Sequence, residues 1–550
     1  MNNSQKAVIL PTLLILAPVV FWLFILVKYA ANVPWFDDFD PFPDFLRQWI
    51  LTESFSEKIG LIFQPNNEHR MIWGKLSALG YYKLTGTLNF RVIQLSASLL
   101  TLGVLVLFWK AFKAARVPLI YFLPVPLFVL HLQFYGTYLW AICSMQHQPV
   151  VFFTALTAWL LAKGRFKAGV VAALCANFAM GNGILVWTAG FAILLFLGRT
   201  RQLAVWVGIA ALSIFAYFLN MSPQGNESSF TFFIEHPHLS FIGFFTFLGG
   251  LFDLFPDRDI VFRSVPTFVG GFFVGLYAIW WVLHTAIGKP TRSKLTKETQ
   301  TANAFLVGIL VFILANAAVI ALLRPRFGMD VMLVSNYKIY PGLFFAAAYL
   351  SLLFLSSKRK LILKAGIVLA GSLWTGSLMN YLPTIRERSY YFEINAYNQR
   401  HNQFGLGFEP GSKAAEYIDA LVKFIDDRKI YTLPQTIAPL VDRINGTPPS
   451  ATRLEHTVTD LGTSLHIVMP ELETATFHAP IRFFCLSSAT NNYLFKVEPN
   501  INRGRNPFKK YEKGTNLTID KRILTSGSYE LFYYDGASNR HFLLDPVTIE

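Results

Sequence analysis

Residues 303–323 read NAFLVGILVFILANAAVIALL, a run of 21 residues without a single charge. A bilayer core about 30 Å thick takes roughly 20 apolar residues to cross as a helix. In lipid a helix also pairs every backbone N–H and C=O internally. The run therefore reads as a membrane span. Comparable runs lie outward of it on both sides, near 8–30, 92–112, 118–136, 149–162, 168–181, 184–198, 203–220, 265–286, 338–356 and 362–381, which makes about eleven spans. The first is too long for a signal-peptide core and has no small-residue cleavage site before Val33-Pro34-Trp35, so it reads as a retained span.

Beyond residue 382 the apolar runs stop. The chain of 550 residues is 53% hydrophobic and only 15% charged, against about 25% charged in soluble proteins, and this excess belongs to the first part alone. The expected fold class is a polytopic α-helical membrane protein over 1–382 with a soluble, β-rich α+β domain over 383–550. In that domain a helix is predicted over 413–428, with Ala414, Tyr417, Ile418, Leu421 and Phe424 on one face. Alternating or β-branched runs at 464–469, 482–486, 493–497, 516–519, 529–534 and 541–544 predict a small sandwich or barrel.

The net charge of +15 would suggest nucleic acid in a soluble chain. Here the cations cluster between spans, at Lys110/Lys113/Arg116, Lys163/Arg165/Lys167, Arg199/Arg201, Lys289/Arg292/Lys294/Lys297 and Lys358/Arg359/Lys360. That pattern sets orientation: the amino terminus is expected in the cytoplasm and the C-terminal domain outside it, with membrane lipids and no nucleic acid as partners. Residues 239–255 are apolar enough to span, but counting them would move 289–297 outside, so 221–264 reads as one outside loop with an interfacial or re-entrant segment. The other long outside loop is 31–91. Phe45, Leu46, Trp49 and Ile50, then Ile72, Leu76, Leu79 and Tyr82, recur at helical spacing and predict two interfacial helices, with Asn67 as an N-cap. Cys143, Cys175 and Cys485 are isolated thiols with no zinc or disulfide spacing.

Four constellations carry possible chemistry. Asp37, Asp38 and Asp40 stand among Trp35, Phe36 and Phe39 directly after the first span. Like charges this close, partly buried, raise a carboxyl pKa into the range of a general base; the bland reading is an acidic loop with aromatic anchors. Glu68, His69 and Arg70 are adjacent in the same loop, as a substrate-positioning group or an ordinary capped turn. Arg324, Arg326, Tyr337 and Lys338 flank a short outside loop and suit phosphate, or lipid headgroups by snorkelling. Gln146 and His147, and Asn182 with Trp187 following, stand at outside ends of spans, lining a cavity or forming plain loops. No Walker A, GxSxG or HExxH motif is present, and the span centres are nearly free of charge, which argues against ATP-driven pumping and makes ion-coupled transport the weaker class.

Taken together, Trp35–Asp40, residues 67–70, Ala176–Trp187 and Arg324–Tyr337 resemble the GT-C superfamily of membrane glycosyltransferases, in particular bacterial members akin to O-antigen glucosyltransferases. The resemblance covers roughly residues 1–340; where such members often have Ser-Arg-Tyr, this chain has Ser335-Asn336-Tyr337-Lys338. It implies a multi-pass protein of the bacterial inner membrane that takes a sugar from a polyprenyl-phosphate donor and passes it, with inversion, to a glycan or lipid-linked acceptor on the periplasmic face. Asp37 or Asp38 would be the base. Asp40, Glu68, His69, Arg70, Gln146, His147, Asn182 and Trp187 would bind substrate, and Arg324, Arg326, Tyr337 and Lys338 the phosphate. No metal ligand is assigned, although the Asp cluster offers carboxylate oxygens to Mg or Mn. The alternatives are a glycan polymerase, ligase or flippase, and a receptor or assembly protein that works through its β domain.

Overall fold

Helices fill the chain as far as Gly446, and strands begin at Thr457. The computed structural model describes residues 3–66, 69–221, 226–287, 296–473, 480–504, 506 and 509–549. Among these, seven helices are long and apolar enough to cross a membrane: Ile9–Tyr29, Phe90–Ala115, Leu119–Tyr138, Thr200–Phe218, Ile260–Thr285, Lys297–Leu323 and Arg359–Asn402. Shorter apolar helices are Phe166–Asn177, Gly181–Phe196, Pro237–Leu248 and Ile339–Leu355. The helix Ala141–Ala162 is long enough, at 22 residues, but Gln146, His147 and Gln148 lower its hydropathy and all three are buried. The run quoted first forms the helix Lys297–Leu323, most of whose side chains are buried. By contrast Leu10, Leu13, Val20 and Phe24 of the first helix and Leu212 and Phe215 of Thr200–Phe218 are exposed, as lipid-facing side chains are. Lys297, which belongs to the orientation pattern, is described; Lys289, Arg292 and Lys294 lie outside the described residues.

The chain divides into two compact units. The first unit comprises Met1–Ala30, Trp49–Leu79 and Val92–Tyr381. Its centre is the helix Lys297–Leu323, packed on Ala141–Ala162, Gly181–Phe196 and Pro237–Leu248. Small residues allow the close approaches that lipid-embedded helices use: a Cβ on Gly308 would lie 2.5 Å from Ile193 Cδ1. The apolar segment 239–255 is not one continuous helix. Pro237–Leu248 is followed by a turn at Gly250–Phe252, and twelve residues rise only about 18 Å. Gly249 and Gly271 make its contact with the next helix, since a Cβ on either would lie 1.8 Å from a carbonyl oxygen of the other segment. The helix Phe55–Phe63, which the sequence pattern does not announce, leaves Phe55, Ile59 and Phe63 exposed one turn apart.

The second unit is Ala31–Gln48, Gly80–Arg91 and Leu382–Glu550. The expected soluble domain starts at 383, yet two pieces of the first loop belong with it. Phe36 N donates to Leu406 O at 3.0 Å and Leu88 N to Ile430 O at 2.7 Å, and Tyr431 Oη donates to Asn32 O at 2.7 Å. The helix Arg359–Asn402 also continues through Pro383, well past the expected span end at 381. It does so because Ile394 and Tyr397 pack against strands.

Among the described residues nine strands follow: β1 Thr457–Asp460, β2 Ser464–Met469, β3 Arg482–Ser487, β4 Asn492–Lys496, β5 Pro499–Ile501, β6 Tyr511–Asp520, β7 Gly527–Asp535, β8 Arg540–Leu543 and β9 Val547–Ile549. They form two antiparallel sheets, ordered β1-β2-β6-β5 and β4-β3-β7-β8, with β9 also on β7. Leu465, Ile467, Leu517 and Ile519 meet Phe484, Leu486, Leu531 and Tyr533 in the core between them. On the outer face of the second sheet, Phe483, Cys485, Phe532 and Tyr534 are covered by Ile394, Tyr397, Ile437, Val441 and Ile444 from two helices. That second cover is why β3 is buried at four successive positions whereas β2 alternates.

Candidate functional site

Asp37 and Asp38 stand in a one-turn 3₁₀ helix, Phe36–Asp38. Phe36 adopts φ +46°, a left-handed conformation that costs a bulky residue about 1–3 kcal/mol and must be held by its surroundings. The hold comes from Tyr391, inside the helix Arg359–Asn402, and from residues just after that helix. The Phe36 ring stacks on Phe408 at 5.5 Å, Trp35 lies edge-on to Tyr391 at 5.4 Å, and a Cβ on Gly407 would sit 3.3 Å from both Phe36 and Trp35.

The two carboxylates fare differently. Asp38 is 1% exposed, and its Oδ2 accepts the Trp35 backbone N–H at 2.9 Å, so it closes the turn. Asp37 is half-buried; burial, and then the neighbouring charge of Asp40, raise its pKa above its ordinary value. Asp40 is exposed and opens the next turn. Further on, Asp44 holds Arg47 Nε at 2.9 Å and Gln48 Nε2 at 2.6 Å. Of the three aspartates at 37, 38 and 40, Asp37 is thus the one with the features of a base; the pKa values of Glu393 and Asp419 of this unit are also raised by burial.

The remaining candidates belong to the first unit. Gly181-Asn182-Gly183 forms a tight 3₁₀ start to Gly181–Phe196. Only glycine fits at 183, because a Cβ there would lie 1.9 Å from Ala176 O. Gly183→Ala is expected to destabilise the protein by about 1–3 kcal/mol or more through overpacking, read as a lowered unfolding midpoint in detergent; an unchanged midpoint would contradict this packing.

The turn delivers Asn182 into a buried neutral network. Asn182 Nδ2 donates to Tyr340 Oη at 2.5 Å and to Asn316 Oδ1 at 2.9 Å. Asn316 Nδ2 donates to Phe312 O at 3.2 Å, and His147 Nδ1 lies 2.8 Å from Tyr340 Oη. The His147 ring is also edge-on to Tyr337 at 5.9 Å. Gly181 abuts His69, whose Nδ1 would be 3.1 Å from an added Cβ. Two side chains distant in sequence, His147 and Asn182, therefore converge on the Tyr340 phenol, and Asn316 joins through Asn182. His147, Asn182, Tyr337 and His69 were among the expected site residues; Tyr340 and Asn316 were not, since a Tyr or Asn inside an apolar span carries no local pattern.

Other candidates are engaged structurally. Arg70 is buried: Nε donates to Tyr217 O at 2.7 Å, and the two terminal nitrogens donate to Phe63 O and Leu219 O, which satisfies carbonyls at two helix ends. Trp187 Nε1 donates to Asn177 Oδ1 at 2.8 Å, and its ring lies 4.7 Å from that of Trp206. Gln146 is buried in the first turns of Ala141–Ala162. Glu68, like Asn67, lies outside the described residues.

The cations divide as well. Arg324 and Arg326 lie over the Phe327 ring, at 5.9 and 4.4 Å, in the loop after Lys297–Leu323. Lys338 is 2% exposed; its Nζ is 2.6 Å from Asp253 Oδ2 and 2.7 Å from Tyr381 Oη. Arg263 grips the same carboxylate twice, Nε to Oδ1 at 3.0 Å and Nη2 to Oδ2 at 2.8 Å. Burial alone would raise the Asp253 pKa, but Lys338 and Arg263 outweigh it and hold the carboxyl below its ordinary value. Asp253, Arg263 and Tyr381 were not anticipated. A lone carboxylate inside the apolar run 239–255 was the available signal, because such a charge needs a partner.

Among the described residues no group of three or more His, Cys, Asp or Glu side chains is placed to hold a metal ion. Comparison of the chain with protein-family models, with curated proteins and with solved structures finds no match.

Proposed function

We propose that this protein is a membrane glycosyltransferase of GT-C type, moving a sugar from a polyprenyl-phosphate donor to an envelope glycan or lipid-linked acceptor. The observation that carries the reading is Asp37, a half-buried carboxylate with a raised pKa on a strained turn braced by aromatic rings. Strain that the surroundings must overcome is a mark of functional positions, and a carboxylate whose pKa is raised is a stronger base than an ordinary one.

In the proposed reaction Asp37 takes the proton of an acceptor hydroxyl. The oxygen attacks the anomeric carbon as the bond to the phosphate oxygen breaks, inverting that carbon, and polyprenyl phosphate leaves with the electron pair. By the resemblance, Arg324 and Arg326 would take the charge of the leaving phosphate; Lys338 is committed to Asp253. The proposal places the protein across the bacterial inner membrane with eleven spans, its amino terminus cytoplasmic and its C-terminal domain periplasmic, following the Lys and Arg pattern.

Reconstituted in nanodiscs with undecaprenyl phosphate carrying radiolabelled glucose, galactose or mannose and an envelope-glycan extract, the protein is expected to transfer label from one donor and release undecaprenyl phosphate. Consumption of none of the three donors would contradict the proposal.

A further inference from the structure

The network around Tyr340 leaves two polar atoms over. Asn182 can donate only through Nδ2, so Tyr340 Oη accepts there and passes its own proton to its other neighbour, His147 Nδ1. A neutral imidazole that accepts at Nδ1 carries its proton on Nε2. His147 Nε2–H is thus a donor, and among the described residues neither it nor the carbonyl Oδ1 of Asn182 has a hydrogen-bond partner, although both atoms are buried. His147 as a whole is fully buried. Aromatic rings of Phe247 and Phe312 lie 6.1 and 6.2 Å from the Tyr340 ring. Buried polar groups in folded proteins are nearly always satisfied, and two open atoms on one network are where a ligand or water would bind.

The chemistry of the pair selects its ligand. Asn182, Asn316, Tyr340 and the neutral His147 form a chain with no formal charge, unlike the Asp253 cluster that Lys338 joins two residues before Tyr340. A phosphate or carboxylate would find no countercharge in this chain. A hydroxyl group accepts one hydrogen bond and donates another, which matches one N–H and one carbonyl left open off the same phenol.

We infer that the His147–Tyr340–Asn182 network is a recognition site for the hydroxyl groups of a sugar ring. It rests on the reading above only for the claim that this sugar arrives on a lipid phosphate. A hydrogen bond lost to a site whose own polar group then stays buried and unpaired weakens binding by about tenfold.

The test is ligand-dependent thermal stabilisation of the full-length protein in nanodiscs. The probes are undecaprenyl phosphate bearing glucose, galactose or mannose, undecaprenyl phosphate alone, and the three free methyl glycosides. Wild type is expected to be stabilised more by one sugar-bearing lipid than by the bare lipid phosphate. In His147→Phe and Asn182→Leu that extra shift should need about tenfold more ligand, while the bare-lipid shift, which reports on folding, stays unchanged. His147→Gln, which keeps a donor, should recover part of it. A sugar-dependent shift produced by the free glycosides alone would keep the hydroxyl site and overturn the lipid-borne donor. Equal shifts for sugar-bearing and bare lipid in wild type, with no response to glycosides, would overturn the inference and leave a water site. Neither result bears on Asp37, whose role is judged by transfer rates.

Discussion

Asp37→Asn is expected to lower sugar transfer by about a hundred- to ten-thousandfold, the usual contribution of a general base, in a protein that remains folded. Asn keeps the shape and removes the basic oxygen. The second half of the expectation follows from electrostatics. Asp37 has a raised pKa because its charged form is desolvated and lies near Asp40. A carboxyl whose folded pKa exceeds its unfolded value, about 3.9, contributes stability that is complete below that value and lost as pH rises through the folded pKa. At neutral pH the ionised Asp37 is therefore a burden on the fold, and Asn should leave the unfolding midpoint unchanged or raise it. The same shift sets the direction of the acid limb of activity, since the base must be deprotonated: transfer should rise with pH through a pKa above the ordinary value for Asp. Asp38→Asn should differ, because Asp38 Oδ2 holds the Trp35 N–H and closes the turn; its loss should lower stability as well as rate. Full activity in Asp37→Asn, with a pH profile like that of wild type, would remove Asp37 from the mechanism.

Asp253→Leu carries the largest expected cost to the fold, about 3–5 kcal/mol. That is the range for breaking a buried ion pair and leaving its partner uncompensated. Here two cations lose their shared anion: Lys338 at 2.6 Å and Arg263 by two hydrogen bonds. The effect should appear as loss of the monodisperse species in detergent or a strongly lowered unfolding midpoint. Adding Lys338→Met to Asp253→Leu should recover part of it by removing one stranded charge. The depressed pKa of Asp253 gives a pH signature. Its contribution is present above the unfolded pKa and is lost as pH falls through the lower folded pKa, so the wild type should lose this stabilisation in acid and the double variant should not. A double variant no more stable than Asp253→Leu would show that the cluster is not held by charge.

These two aspartates show where sequence reading succeeds and where it stops. The seven long apolar helices were legible because a lipid solvent imposes long uncharged runs, and the helices Phe45–Leu51, Ile72–Thr85 and Lys413–Asp427 because of their 3.6-residue spacing. Six strands were legible from alternation and turns. β1 was not, being an exposed edge strand of sequence Thr-Val-Thr-Asp, and β5 and β9 have three residues each, too few for a period to register.

Asp37 was a candidate because like charges in close spacing shift a pKa regardless of fold. That its turn is held by Tyr391, Leu406 and Phe408 could not be read, since no local pattern links residues some 370 positions apart. Lys338 looked like a phosphate ligand because its buried counterion lies 85 residues earlier. The neutral network was legible only as single polar residues, His147 and Asn182; Tyr340 and Asn316 looked like ordinary span residues until helix packing brought them together.

The claim that the protein glycosylates an envelope glycan through Asp37 is tested most directly by mass spectrometry of envelope glycans. The comparison is between cells expressing wild type, cells expressing Asp37→Asn to the same level in the membrane, and cells lacking the protein. The account predicts a hexose increment on one glycan in wild type alone, with the Asp37→Asn profile matching that of cells without the protein. Identical glycan profiles in all three, or a full increment with Asp37→Asn, would contradict it.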